Sequence, residues 1–479
     1  MGNDKKLVEQ ITSQEVDFAK WYTDVCLKAE LCIYSGTKGF VVLRPYGYAL
    51  WENIMHSLDK RFKEVGVTNV AMPMLIPENL LLKEKDHVEG FAPECAWVTC
   101  GGTDVLEERL AVRPTSETVF CDYWNETVKS YRDLPQLLNQ WCSVVRWEKE
   151  TRPFLRTREF FWQEGHTLHA TEEESREFTL KMFGVYEEFI QSELAIPVLK
   201  GQKTEKEKFA GAKATYTIES IMKDGKALQS ATSHDFGDNF AKAFDIKYLD
   251  KNNQLVYATE TSWGLSTRII GAIIMVHGDD KGLKLPPNIA PIQVRVIPIR
   301  TTDENNINKA KELLDRLNKC GLKVDIDLSD KTPGYKFAEC EMKGIPLRVE
   351  IGPKDIEKGT CVLVRRDNGE KVEVKIDNIE NEVKDLLVRI QQDMYNDAKA
   401  FLDSHIDIAL TKEELVDKMN NKKGFIKAMH CGCKECEIEL KEETGITSRC
   451  IPKDQENLSD KCVVCGKPAK YEVIWGKAY

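Results

Sequence analysis

The sequence predicts three successive units: an α+β unit on a largely antiparallel sheet over residues 1–285, an α/β unit over 286–404, and a small metal-binding α+β unit over 405–479. Three observations predict this. At 479 residues the chain exceeds the roughly 250–300 residues over which one core keeps growing. The run Leu285-Pro286-Pro287-Asn288-Ile289-Ala290-Pro291 breaks helical and strand periodicity alike and reads as a linker. Beyond about His405 the chain is rich in Lys, Glu and Cys and poor in large apolar residues, so it needs a staple to fold comfortably.

Each element follows from its pattern. Phe18, Trp21, Tyr22, Val25, Cys26 and Ala29 recur at helical spacing after Ser13, the expected cap. Leu50, Ile54, Leu58, Phe62 and Val65 share one face of a second helix, Gly66 suits its end, and Asn69 to Met72 is expected as a strand running into Pro73. Two β-rich aromatic stretches between Val144 and Thr167 flank the charged run Lys149-Glu150-Thr151-Arg152-Pro153, which predicts an antiparallel hairpin. A second hairpin is expected from Ile246–Leu249 and Leu255–Thr259. After the linker, strands at Ile292–Ile299, Lys323–Leu328, Leu347–Ile351 and Cys361–Arg365 alternate with helices around Asn306–Lys319 and Tyr335–Lys343, as in an α/β sandwich, and a long helix over Ile379–Ser404 closes the unit.

Composition removes several classes. Apolar content of 42% and charged content of 30% are globular, and the longest apolar runs fall short of the ~20 residues that span a bilayer. The start, Met1-Gly2-Asn3-Asp4-Lys5-Lys6, has no apolar signal core, and Lys6 stands where a myristoylation signal has Ser or Thr. A soluble, cytoplasmic protein that does not enter membranes is expected. Most of the fifteen scattered cysteines are then reduced thiols. A net charge of −10 argues against a generally basic nucleic-acid coat but leaves local Lys/Arg patches open.

In VVRWEKETRPFLRTREFFWQEGHT, alternation puts Arg146 and Glu148 on one face of the first strand and Arg156, Arg158, Phe160, Trp162 and Glu164 along the second. Pattern alone allows two readings. One is a solvated charged strand pair with Phe160 and Trp162 in the core. The other is an anion site, in which arginine forks grip phosphate oxygens and an aromatic face stacks on a purine. The run Gln229-Ser230-Ala231-Thr232-Ser233-His234-Asp235-Phe236-Gly237 is polar and ends in Gly, and by pattern it is a turn.

The first segment resembles motif 2 of class II aminoacyl-tRNA synthetases, and its RTREF…WQEGHT ending is similar to the prolyl-tRNA synthetase family. Val65-Gly66-Val67 through Pro73 resembles motif 1, the helix and strand of the dimer interface. The segment from Ser262 to Ala272, SWGLSTRIIGA, resembles motif 3. The resemblance implies a class II synthetase-like catalytic domain over 1–285, an anticodon-binding domain over 286–404 and a homodimer formed through motif 1. It also implies roles: Arg146 on the α-phosphate and the proline carboxylate, Glu148 at the adenine end, Arg156 on the outer phosphates, Phe160 on the adenine face and Arg268 on the γ-phosphate. Gln229, Thr232 and His234 would touch ATP or the amino acid, with Ser266 beside the latter. Activation is an in-line attack of a carboxylate on the α-phosphorus, so fixed cations, Mg2+ and placement supply the acceleration without a protein nucleophile.

Arg113-Pro114-Thr115-Ser116-Glu117 resembles the loop with which prolyl enzymes hold the substrate amine. Proline is a secondary ammonium with two N–H donors, which Glu117 and the Thr115 oxygen could satisfy. The family pattern lines the ring with aromatic surface, for which Phe91, Trp162 and His166 stand at matching positions. About a hundred residues separate Gly165 from Ser262, so no editing insertion is expected there, as in the archaeal/eukaryotic-like form. A second amino-acid specificity such as threonine, and a catalytically dead relative serving as a tRNA-binding module, are the competing readings.

Leu347-Arg348-Val349-Glu350-Ile351-Gly352-Pro353, with Lys336 and Glu341 upstream, resembles the anticodon-binding domain of the class IIa enzymes; Glu341, Arg348 and Lys354 are candidates to read guanine edges of the tRNA(Pro) anticodon. Cys431, Cys436, Cys462 and Cys465 are expected to hold a structural Zn2+, with Cys433 and Cys450 as spare ligands. The terminal Trp475-Gly476-Lys477-Ala478-Tyr479 resembles a tail that folds back toward the active site.

Overall fold

The structure is a computed structural model that describes residues 11–83 and 95–479. One eleven-stranded sheet organises the first unit. Its central strands run Leu199–Gln202, Ala214–Ile221, Ala227–Gly237, Thr259–Ser266, Glu159–His169 and Gln136–Val145, each antiparallel to the next, and Thr68–Asn69 adds a parallel edge. The helices Pro45–Glu64, Glu172–Ser192 and Arg268–His277 supply apolar faces to its main core.

Local chemistry explains where elements stop. Helix Phe18–Lys28 begins on Asp17, whose carboxylate accepts from the Lys20 N–H at 2.9 Å; Ser13, the expected cap, instead donates to Asp280. Helix Pro45–Glu64 has Pro at its first position and buries Leu50, Trp51, Ile54, Leu58 and Phe62. Gly66 follows it at φ +87°, a conformation that favours glycine. The strand beyond is shorter than expected, Thr68–Asn69 only. Side chains claim the next backbone groups: the Met72 N–H donates to Gln140 and the Met72 carbonyl accepts from Arg113.

The polar run expected as a turn is the strand Ala227–Gly237, in the middle of the sheet. Its hydroxyls find partners there, Ser230 with Ser220 at 2.7 Å and Ser233 with the Thr179 carbonyl at 2.8 Å, so burial leaves them satisfied.

The second unit has the strand order Val324–Ile326, Val294–Pro298, Leu347–Ile351, Thr360–Arg365, Lys371–Lys375, the first three parallel and the last two antiparallel. Helix Ile379–Ser404 packs Val383, Leu386, Leu387 and Ile390 against it. The C-terminal segment does not rely on a staple alone. Its strands Ile406–Ile408, Phe425–His430, Tyr471–Gly476 and Thr447–Pro452 continue the large sheet, with Ile451 and Pro452 facing Gln202 and Gly201 across the junction. A buried charge cluster seals the seam: Glu219 accepts from Lys203 at 2.9 Å and from Arg449 at 2.8 Å.

Candidate active site

A cavity of about 300 Å3 opens on the face of the central strands. Phe160, Trp162 and Glu164 line it from one strand, as period-two alternation requires. The charged residues expected on those strands are not in them. The strands end at Val145 and begin again at Glu159, so Arg146, Glu148, Arg156 and Arg158 belong to the connection. That connection is held by its own bonds: Arg146 N–H to the Arg158 carbonyl at 2.8 Å and Arg152 N–H to the Arg156 carbonyl at 2.7 Å.

The cavity is polarised. At one end Thr115 donates to the buried Glu117 carboxylate, and acceptor atoms of Glu117, Glu164 and His166 lie within 4.8 Å of one another. Burial alone would raise the Glu164 pKa, but His166, the Ser116 N–H and Gln140 all hydrogen-bond it and bring it below its ordinary value. Elsewhere on the wall, Arg146 donates to the Pro114 carbonyl at 3.1 Å and sits 5.3 Å and 5.6 Å from the Trp162 and Phe160 rings. Arg268 donates to the Leu155 carbonyl at 3.1 Å, and its own N–H is held by Ser266. Desolvation, followed by the charges of Arg146 and Arg156, lowers the Arg268 pKa to about 10, so it stays a cation at neutral pH. Arg268 also lines a second cavity of about 320 Å3 with Glu150, Thr151, Arg152, Leu155, Arg156 and Tyr479.

The structure brings together most of the residues singled out by the sequence: Thr115, Glu117, Arg146, Phe160, Trp162, Gln229, Thr232, His234, Ser266 and Arg268 line the first cavity. Arg156 lines the second. Two more stand beside the cavities without lining them. His166 continues the face of Trp162 and Glu164, but helix Glu117–Thr127 covers that end of the strand; the ring stacks on Phe120 at 4.3 Å and bonds Glu164 at 3.1 Å, away from the cavity wall. Glu148 lines neither cavity, and its carboxylate pairs with Arg156 at 3.5 Å. Phe91 lies outside the described residues.

Sequence reasoning placed Glu164 on the face of Trp162 but gave it no role, and it passed over Phe209, which meets the His234 ring at 4.8 Å. His234 bonds Thr215 and Thr232, and desolvation pushes its pKa down to about 3. Its imidazole is therefore a neutral bonding group. Gly165 is also explained: it faces Trp263 across the strands, and a Cβ there would lie 2.2 Å from the indole. The glycine of the second motif makes room for the tryptophan of the third.

In the second unit Arg348 is buried, donates to Glu350 at 2.7 Å, lies 3.6 Å from Glu341 and covers the Phe337 ring at 4.4 Å. Lys354 is exposed at the start of helix Pro353–Lys358. In the C-terminal segment Cys431 Sγ lies 3.8 Å from Cys436 Sγ and 3.7 Å from Cys465 Sγ, and Cys462 joins the same cluster. A tetrahedral ion about 2.3 Å from each sulfur separates the sulfurs by about 3.8 Å, so the thiols fit Zn2+. Cys433 turns to Glu435 and Cys450 lies buried in the strand Thr447–Pro452, outside the set. His430, not foreseen, adjoins the cluster; its Nδ1 accepts from the Gly432 N–H and its Nε2 is buried without a hydrogen-bond partner among the described residues.

Residues 97–277 match the tRNA synthetase class II core domain (G, H, P, S and T), residues 293–386 the anticodon binding domain and residues 412–479 the prolyl-tRNA synthetase C-terminal domain. The chain is 62% identical over 479 residues to the proline–tRNA ligase of Ruminiclostridium cellulolyticum and 60% identical to that of Lachnospira eligens, with both chains covered completely. It is 59% identical over 475 residues to proline–tRNA ligase 2 of Bacillus cereus, covering 99% of this chain and all of the relative. The chain belongs to the prolyl-tRNA synthetase family.

Proposed function

We propose that this cavity activates L-proline with ATP to prolyl-adenylate and pyrophosphate, and that the prolyl group then passes to the 3′ end of tRNA(Pro). The polarity of the cavity carries the reading. Paired carboxylates, Glu117 and Glu164, suit the proline ammonium, while Arg146 suits its carboxylate and the α-phosphate. Phe160 offers its face to adenine, and Gln229 and Thr232 offer polar groups to ATP. Arg268, shared by both cavities, and Arg156 in the outer one suit the departing pyrophosphate. Trp162 and Ser266 flank the amino acid. His166 acts by holding Glu164, and His234 by bonding Thr232.

The reaction asks for oriented charge. One proline carboxylate oxygen attacks the α-phosphorus in line, the bond to the bridging oxygen breaks, and pyrophosphate leaves. Arginines already fixed to backbone carbonyls meet the growing negative charge with little reorganisation. In the second step a terminal ribose hydroxyl of the tRNA attacks the prolyl carbonyl and AMP leaves. Mg2+ bound with the ATP phosphates would neutralise part of their charge, and Glu150, which lines the second cavity, would offer it an oxygen donor.

Further assignments follow. Glu341, Arg348 and Lys354 face the proline anticodon, Cys431, Cys436, Cys462 and Cys465 hold structural Zn2+, and the chain works in the cytoplasm as a homodimer formed around the motif 1 helix. Exposed Met74 and Leu75, just beyond that helix and its short strand, support the dimer. Among the described residues no helix is long and apolar enough to cross a membrane. The form without an editing insertion is supported by the compact run of strands between Glu159–His169 and Thr259–Ser266. Proline-dependent exchange of pyrophosphate into ATP tests the reading, with threonine as control. Exchange with threonine instead, or tRNA binding with no exchange for either amino acid, would reject it.

A further inference from the structure

Helix Arg268–His277 joins two regions that the reaction uses separately. It begins at the arginine shared by the two cavities, and every residue from Ile269 to Met275 is buried. Ten residues at about 1.5 Å each make a rod about 15 Å long. Its interior is tightly seated, since a Cβ on Gly271 would meet Leu155 at 2.5 Å, and the Leu155 carbonyl is the group that holds the Arg268 guanidinium. The start of the helix therefore cannot shift independently of the rest.

The far end is gripped by other parts of the chain. His277 bonds the Leu194 carbonyl at 2.9 Å, Lys223 donates to the carbonyls of His277 and Gly278, and the Trp21 indole N–H donates to the Asp279 carbonyl at 3.0 Å. The Asp279 carboxylate takes a two-pronged fork from Arg366 of the anticodon-binding unit, at 2.6 Å and 2.9 Å, and Lys284 stands 3.3 Å away. Arg366 is 5% exposed, and its Nε donates to the Glu341 carbonyl at 2.9 Å. The Glu341 carboxylate lies 3.6 Å from both Arg348 and Lys281. An unbroken chain of paired groups thus runs from Arg348 through Glu341, Arg366 and Asp279 to the helix that presents Arg268.

We propose that Asp279 and Arg366 are positioning residues that couple occupancy of the anticodon-binding surface to the placement of Arg268 in the adenylate site. The inference rests on the reading that Glu341 and Arg348 meet the anticodon. A guanine edge bound at Arg348 competes with Glu350, at 2.7 Å, and with Glu341 for the guanidinium. An adjustment of Glu341 that shifts its turn of helix Pro333–Lys343 reaches Arg366, because Arg366 bonds the carbonyl of that same residue. From Arg366 it passes to Asp279, two residues beyond the last turn of a rigid helix. Contiguous hydrogen-bonded and ionic groups of this kind can carry coupling between sites.

The test uses the full-length enzyme, Asp279→Asn, Arg366→Lys, and the exchanged pair Asp279→Arg with Arg366→Asp. tRNA-independent pyrophosphate exchange is measured beside aminoacylation kcat and KM, for tRNA(Pro) and for the same tRNA with a substituted anticodon. The expected result is wild-type exchange in Arg366→Lys, with the kcat preference for the cognate anticodon reduced roughly 5- to 150-fold, the span of ordinary coupling energies, and the KM preference kept. Partial recovery in the exchanged pair is also expected. Asp279→Asn leaves a buried arginine without its carboxylate; if it fails to fold, Arg366→Lys and the exchanged pair still decide. An unchanged kcat preference overturns the proposal, as does exchange falling in step with aminoacylation, which marks a merely structural pair. A wild-type enzyme indifferent to the anticodon rejects the anticodon reading itself, and the coupling with it.

Discussion

Replacing Glu117 by glutamine isolates the charge that the cavity offers to the proline ammonium. The carboxylate is 6% exposed, accepts from Thr115 and lies within 4.8 Å of the Glu164 carboxylate. Two negative groups are thus held close together, and the substrate cation relieves their repulsion. At about 4 Å and an effective dielectric of about 20, a unit pair interacts by about 4 kcal/mol. Hydration lost on binding cancels much of this, and hydrogen bonds to charged groups net about 1.5–3 kcal/mol. At about 1.4 kcal/mol per decade, the KM for proline in pyrophosphate exchange should rise roughly 10- to 150-fold while the KM for ATP holds. The isosteric change also removes the repulsion toward Glu164, so the melting temperature of the free protein should hold or rise. An unchanged proline KM would refute the assignment of Glu117 to the amine. A fall in melting temperature with proline and ATP affected alike would show that the carboxylate holds the loop instead.

Gly165→Ala places a methyl 2.2 Å from the Trp263 ring and should cost about 1–3 kcal/mol of stability, read by urea unfolding. Burial pushes the pKa of His169 down to about 4 and that of His277 to about 3, so both fold neutral. The unfolded chain protonates them near 6.5 and binds more protons below that pH, so their stability contribution is present above 6.5 and drains as pH falls toward the folded values. Between pH 7.5 and 5 each should remove about 2 kcal/mol, and His277→Gln should lessen the loss of stability read by urea unfolding over that range by about that amount. Elemental analysis of the purified chain should find one zinc per chain and none in Cys436→Ser; zinc retained in that variant would exclude the four-thiol set.

Much of this was legible in the chain itself because it rests on short-range rules. Alternation placed Phe160, Trp162 and Glu164 on one face, and helical spacing drew Pro45–Glu64 and Ile379–Ser404. Alternation misled where a loop interrupts it: Arg146 and Arg156 are placed by backbone bonds within the connection, which no period describes. The Ser/Thr-rich strand Ala227–Gly237 looked like a turn because its hydroxyls are satisfied only by partners on neighbouring elements, such as Ser220 and the Thr179 carbonyl.

The sequence by itself determined the kinds of group available: arginines that stay charged, carboxylates for an amine, aromatic walls and two thiol pairs. Only the tertiary structure decided that His166 serves Glu164 beneath a covering helix, that Gly165 yields its volume to Trp263, and that the C-terminal strands continue the catalytic sheet. It also decided that Arg366 closes on Asp279. The reason is physical: side-chain chemistry and local periodicity are properties of neighbours in the chain, whereas burial, packing clashes and ion pairs belong to residues that only the folded backbone makes neighbours.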